Sequence, residues 1–113
     1  MNSLPTYEVK IFVGLRVGYS ETINNFQTVI DICQNYCNEI RLCVTVTPTT
    51  FVYVNANEPG AIIGLINYPR FPSTEEDICN KAIRLAEILK EQLQQQRVSI
   101  MTPNETIMIG ESE

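Results

Sequence analysis

The chain predicts an α+β fold of the ferredoxin-like kind: a β-α-β-β-α-β sandwich with a mostly antiparallel sheet, two helices on one face, and an extra C-terminal strand. Three observations predict it. Residues 7–15 alternate apolar and mixed side chains, the period of a half-buried strand. Residues 21–40 and 73–95 repeat apolar side chains at spacings of three and four, the period of a helix. The segments between and after them are rich in Val, Ile, Thr, Phe and Tyr and are punctuated by Pro, Gly and Asn, as strands and turns are.

Each element has its own justification. Tyr7, Val9, Ile11, Val13 and Leu15 share one face of the first strand. Gly14 and Gly18 mark its exit. In the first helix, Ile23, Phe26, Ile30, Cys33, Cys37 and Ile40 form the expected core stripe, with Ser20 or Thr22 as cap. Residues 41–55 read as a strand interrupted by Pro48. Proline donates no ladder hydrogen bond, so this strand lies at an edge, carries a bulge, or is broken there. Asn57-Glu58-Pro59-Gly60 is the expected turn. Ala61–Tyr68 is nearly all apolar and predicts a central strand buried on both faces. Ser73-Thr74-Glu75-Glu76 reads as a capping box opening the second helix, whose stripe is Ile78, Ala82, Leu85, Leu89 and Leu93. Residues 97–101 and 106–109 flank Thr102-Pro103-Asn104-Glu105 as a terminal hairpin or an extended strand.

The 113 residues are expected to form one domain, 1–113, with 1–5 and 110–113 frayed. Hydrophobic residues make up 44% and charged ones 19%, which suits a packed domain rather than a disordered chain. The net charge is −5 and the eight Lys and Arg form no run, which argues against a duplex nucleic-acid partner. No secretory leader and no membrane span are read, so a cytoplasmic location is expected. The four cysteines are expected as buried free thiols. No metal and no cofactor are expected, since no His is present to complete a mixed site around Cys33 and Cys37.

Right-handed crossovers give a spatial order 4-1-3-2. The first strand and the Ala61 strand are expected side by side and parallel at the centre, with their exits at one end of the sheet. Ligands favour such exits. One exit carries Arg16 and Tyr19; the other carries Asn67, Tyr68, Arg70 and Phe71. With Tyr53 from the neighbouring strand, these seven are the candidate ligand-binding residues. Guanidiniums fork onto phosphate and aromatic rings stack on a base, so the predicted ligand is a small anionic, nucleotide-like molecule. Local alternatives stand beside this: Arg16 and Arg70 as surface ion pairs, Arg70 with Glu75 or Glu76, and Phe71 as a core plug. The helix-free face would expose Phe12 with either Phe51 and Tyr53 or Val52 and Val54, which predicts a homo-oligomer that buries it.

The segments "IFVGL", "EPGAIIGL" and "QQQRVSI" resemble, in their layout along the chain, the phage anti-Thoeris sponge proteins. That resemblance implies a small ferredoxin-like oligomer that binds cyclic ADP-ribose-type signals between subunits without turnover. It implies a host-cell cytoplasm as the place of action. With no imidazole, no Walker loop and no nucleophile elbow in the chain, no catalytic residue is assigned. The reading is a non-enzymatic binder that sequesters an anionic nucleotide-derived signal and blocks host immune signalling. A protein-binding inhibitor acting through an acidic surface or sheet edge is the first alternative. A small oligomeric enzyme, needing a base drawn from Asp, Glu, Lys, Tyr or Cys, is the last.

Overall fold

The computed structural model describes residues 1–110. The elements follow the order β1 (Glu8–Gly14), α1 (Phe26–Ile40), β2 (Thr45–Tyr53), β3 (Ala56–Ile66), α2 (Glu75–Gln92), β4 (Arg97–Met101) and β5 (Thr106–Gly110). The sheet order is β2-β3-β1-β4-β5. Read from the other edge, this is the ferredoxin-like order with β5 added outside β4. Every pairing is antiparallel.

Alternation along the strands builds the core. Val9, Ile11 and Val13 of β1 face the helices beside Ala61, Ile63 and Leu65 of β3 and Val98 and Ile100 of β4. From α2, Ile78, Ala82, Leu85, Ala86 and Leu89 close over them. Each large side chain fully buried there is worth about 1.5–3 kcal/mol over its exposed state. Thr74 caps α2: its Oγ1 accepts the Asp77 N–H at 3.0 Å. The cap is one residue later than the capping-box reading of Ser73.

Several expectations are corrected. Helix α1 starts at Phe26, not near residue 21, and Asn25 caps it by accepting the Gln27 N–H at 2.8 Å. Residues 16–23 instead fold back on themselves. Arg16 bridges Ile23, and the Val17 N–H donates to the Thr22 carbonyl. The buried stripe of α1 is Val29, Ile32, Cys33 and Tyr36. Tyr36 joins it because its hydroxyl can donate to the Lys81 carbonyl at 3.2 Å, which offsets the cost of burying it. Cys33 is buried, Cys37 and Cys79 half-buried, and Cys43 exposed.

Pro48 sits in an edge strand without a bulge: the β2–β3 ladder runs unbroken from Thr45↔Gly64 to Tyr53↔Ala56. The missing N–H therefore falls on the outward side of the edge. The hairpin turn is Val54-Asn55, with Asn55 at φ 57, a left-handed conformation Asn tolerates better than most residues. Asn57–Gly60, expected as the turn, lies inside β3. Beyond Gly14↔Gly60 strand β1 has ended, so β2 and β3 project past it as a two-stranded overhang. β3 is central, as expected, but in this chain only one face is buried: Ile62 and Gly64 are partly exposed and Ile66 is exposed.

The helix-free face carries Phe12, Ile62, Phe51, Tyr53, Met101 and Met108, which the register places on one side. It is Phe51 and Tyr53, not Val52 and Val54, that point there. β5 extends the sheet edge instead of folding over this face. Gly110 closes β5, contrary to the expected fraying; the rest of the expected frayed tail, 111–113, lies outside the described residues.

Candidate active site

The antiparallel sheet overturns the single convergent site. α1 returns the chain to the starting end, so β2 runs with β1, and the tight hairpin then reverses β3. β1 therefore exits at Gly14↔Gly60, while β3 exits past Glu8↔Ile66. At about 3.3 Å per residue the two exits stand roughly 20 Å apart. Arg16, Tyr19 and Tyr53 are brought together at one end, and Tyr68, Arg70 and Phe71 at the other. Asn67 lines neither cavity: its Oδ1 accepts the Ser73 N–H at 3.0 Å and its own N–H donates to the Tyr7 carbonyl. It serves the connection into α2.

The β1-exit end holds a cavity of about 630 Å³. Three segments wall it. The loop after β1 supplies Arg16 and Tyr19; the β2–β3 overhang supplies Tyr53, Asn57 and Glu58; the α2–β4 joint supplies Gln95, Gln96 and Arg97. Arg16 Nε stands 3.7 Å from Glu58 Oε2, and the Tyr53 hydroxyl donates to the same oxygen at 3.4 Å. Arg16 Nη1 also donates to the Ser20 carbonyl at 3.1 Å. The carboxylate thus holds a guanidinium on one side and a phenol on the other, with neither fully buried.

Two amides brace this arrangement. Gln95 Nε2 donates to the Arg16 carbonyl at 2.7 Å and to the Leu93 carbonyl at 3.0 Å. Asn24 Nδ2 donates to the Leu15 and Leu93 carbonyls at 3.1 and 2.9 Å. Together they fasten the Arg16 loop to the end of α2, so the loop is positioned from the core side. Gly14 makes room: a Cβ there would stand 3.0 Å from Gln95 Oε1 and 3.2 Å from Glu58 Oε1. By register, Gly14, Glu58, Tyr53 and Arg97 all lie on the helix-free side of the sheet. The cavity is therefore continuous with the uncovered face, and Tyr19, 88% exposed, stands at its rim.

The sequence reading missed Glu58 and Gln95. Glu58 was absorbed into a turn signal and Gln95 into the end of a helix. The signal that locates Glu58 is the two-residue Val54-Asn55 loop, which carries the overhang past β1 and sets Glu58 beside its exit.

Burial pushes the Cys33 thiol up to about 12, helped by the nearby Cys37. Burial also raises Cys37. Among the described residues no cluster of His, Cys, Asp and Glu has the makings of a metal site, and no helix is long and apolar enough to cross a membrane.

No family model and no curated protein matches the chain. Two solved structures share its fold. One is a phage SAM lyase in its apo state, with a TM-score of 0.72 and 22% identity, covering 95% of this chain and 90% of that one. The other is a phage SAM lyase in complex with S-methyl-5′-thioadenosine, with a TM-score of 0.70 and 19% identity, covering 98% and 95%. Likeness at this identity carries the fold. It nonetheless corrects the expectation of a non-enzymatic sponge: both neighbours are named as enzymes, and the enzyme reading placed last on the sequence fits better. Both neighbours are phage proteins, as are those the sequence resembles; neither supports the anti-Thoeris part of that resemblance.

Proposed function

We propose that the protein is a small lyase acting on S-adenosylmethionine at the β1-exit cavity. One observation carries this beyond fold likeness: a single cavity of about 630 Å³ brings together a carboxylate, two guanidiniums, two phenol rings and several amides. S-Adenosylmethionine needs that set. Its sulfonium and ammonium call for a carboxylate, its own carboxylate for a guanidinium, and its adenine for a ring and amides. In this reading Glu58 would face the cationic part, Arg16 and Arg97 the substrate carboxylate, and Tyr53 or Tyr19 the base.

The reaction breaks the bond between sulfur and the aminobutyrate carbon. The electron pair goes to sulfur, and methylthioadenosine leaves as a neutral thioether. The remaining fragment closes when its own carboxylate oxygen attacks the carbon that sulfur left, giving a lactone. No water enters and no proton moves. Loss of a neighbouring proton to a base would also balance, giving an unsaturated amino acid. Ring closure is favoured because Glu58, the one carboxylate lining the cavity among the described residues, already holds Arg16 and Tyr53. It is better suited to stabilising positive charge than to removing a proton.

Ring closure unites a cation with an anion, so it is faster where water is excluded. The cavity in a single chain is open toward the apolar face. A second copy covering that face would bury Phe12, Ile62, Met101 and Met108 and shut the cavity from solvent at once. The homo-oligomer expected from the sequence therefore acquires a catalytic reason. Consumption of a methyl donor in the cytoplasm of an infected cell would give a phage-encoded enzyme an anti-defence role by turnover.

The test is direct. Purified protein mixed with S-adenosylmethionine is expected to release methylthioadenosine, resolved by liquid chromatography with mass detection, with the lactone as partner. Substrate recovered intact after prolonged incubation at high enzyme concentration overturns the proposal.

A further inference from the structure

We infer that the opposite end of the molecule, where β3 exits, is a second and separate binding site, for a small aromatic anion of the nucleoside monophosphate class. It does not rest on the lyase reading. The site is a cavity of about 820 Å³, larger than the first. Its rim brings Arg41 from the end of α1, Tyr68, Arg70 and Phe71 from the β3–α2 connection, and Lys81 and Asp77 from α2.

Charge points to an anion. Three cations face one carboxylate, in a protein whose net charge is −5. That carboxylate is already engaged: Lys81 Nζ lies 2.8 Å from Asp77 Oδ2, and the Ser73 hydroxyl also donates to it. Arg41 and Arg70 make no ion pair among the described residues. The expected alternative, Arg70 paired with Glu75 or Glu76, is not what the chain does. Two guanidiniums on one rim suit a phosphate, which each can hold in a fork.

Arg41 adds a backbone observation. It caps α1 in the left-handed conformation, φ 58 and ψ 61. Gly is the usual occupant of such a position, and a branched-off side chain there costs about 1 kcal/mol. Holding a guanidinium at that cost is consistent with use of the side chain.

The ring is the second half. Phe71 is 64% exposed, so it does not plug the core. The Arg70 guanidinium lies 5.5 Å from its ring centroid. The segment is stiff: the Phe71 N–H donates to the Tyr68 carbonyl at 2.9 Å, closing a turn with Pro69 at its second position, where proline presets φ. Pro72 follows. An exposed ring on a stiff backbone, beside a guanidinium with no ion pair among the described residues, offers a stacking surface and a phosphate ligand with little backbone entropy left to lose on binding.

The experiment titrates the full chain with AMP, adenosine and inorganic phosphate, followed by amide shifts in NMR and by calorimetry. AMP is expected to saturate, with shifts confined to residues 41–43 and 68–73, and adenosine or phosphate alone to bind at least about tenfold more weakly. Arg70→Ala and Phe71→Ala are each expected to weaken AMP about tenfold or more. Thermal unfolding of both variants confirms that they fold, and Arg70→Lys is expected to recover part of the loss. Methylthioadenosine, which has no anionic group, is expected to leave these residues unshifted. AMP that binds unchanged in both variants, AMP displaced by Arg16→Ala instead, phosphate as tight as AMP, or no saturation by about 10 mM would each overturn the inference. Release of methylthioadenosine from S-adenosylmethionine is expected to be unchanged in Arg70→Ala, whose side chain lies outside the β1-exit cavity, so failure here and failure of the lyase reading are seen separately.

Discussion

The two ends of the sheet use the same residue types in opposite ways. At the β1 exit, Arg16 is held by Glu58 and Tyr53, and the cavity opens onto an apolar face. At the β3 exit, Arg41 and Arg70 carry no carboxylate partner among the described residues, and the one acid described there is taken by Lys81 and the Ser73 hydroxyl. The first arrangement sets a carboxylate directly against a guanidinium and suits a substrate that is itself part cation and part anion. The second leaves charge unbalanced and suits an anion. An arginine on a strand exit therefore says little until its carboxylate partner, or lack of one, is known.

The apolar face lies between the ends, and its loss should separate them most. Ile62 is partly exposed at its middle, paired with Phe12. If the proposed oligomer forms through this face, Ile62→Asp is expected to dissociate it to the 12.8 kDa monomer in native mass measurements, with a drop in turnover of at least about tenfold as the cavity opens to water. AMP binding at the β3 exit is expected to hold. A wild-type protein already monomeric in solution would break this part of the account.

Gly60 sharpens the comparison at the β1 exit. A Cβ there would enter the Phe51 ring and approach the Val13 carbonyl oxygen to 2.9 Å. Gly60→Ala is expected to destabilise the fold by about 1–3 kcal/mol, read by denaturant unfolding, and to disturb the overhang that carries Glu58. Turnover should fall more than AMP affinity does.

Asp77 offers the smallest effect, at the other end. The Lys81 ammonium beside it, with the Ser73 hydroxyl, holds its carboxyl below the usual range. A depressed pKa stabilises the folded state above the unfolded value, about 3.9, and that stability is lost as pH falls through the folded value. The side chain is 44% exposed, so solvent screening keeps the effect below about 1 kcal/mol. Asp77→Asn is expected to lower stability slightly at neutral pH, with the difference from wild type vanishing in acid. It should tighten AMP a little while leaving turnover unchanged.

How much of this was legible depended on the kind of signal. The alternation of Val9, Ile11 and Val13 and the stripe from Ile78 to Leu89 reported the core directly, because burial imposes its period on the chain. The start of α1 was not legible: Ser20, Thr22 and Asn25 are all good caps, and only tertiary pairing of Arg16 with Ile23 selects the last. Asn57–Gly60 outranked Val54-Asn55 as a turn signal because Pro and Gly are strong punctuators. The structure keeps both Pro59 and Gly60 in β3, and at Pro59 β1 has already ended, so the proline costs no hydrogen bond on that side. The candidate site was legible in its parts but not in its grouping. Arg16, Tyr19 and Tyr53 do share a cavity, while Tyr68, Arg70 and Phe71 were assigned to it through a strand direction that the hairpin reverses. Glu58 had no local mark at all. Its importance comes from the distance to Arg16, a contact across 42 positions of sequence that no window along the chain contains.

The central claim is that turnover belongs to the β1 exit and not to the β3 exit. Release of methylthioadenosine from S-adenosylmethionine, measured in parallel for wild type, Glu58→Gln and Arg70→Ala, tests it most directly. Glu58→Gln is expected to lose about 100-fold in rate, the scale of removing one electrostatic stabiliser, and Arg70→Ala to match wild type. Full activity in Glu58→Gln, with activity lost in Arg70→Ala, would contradict it.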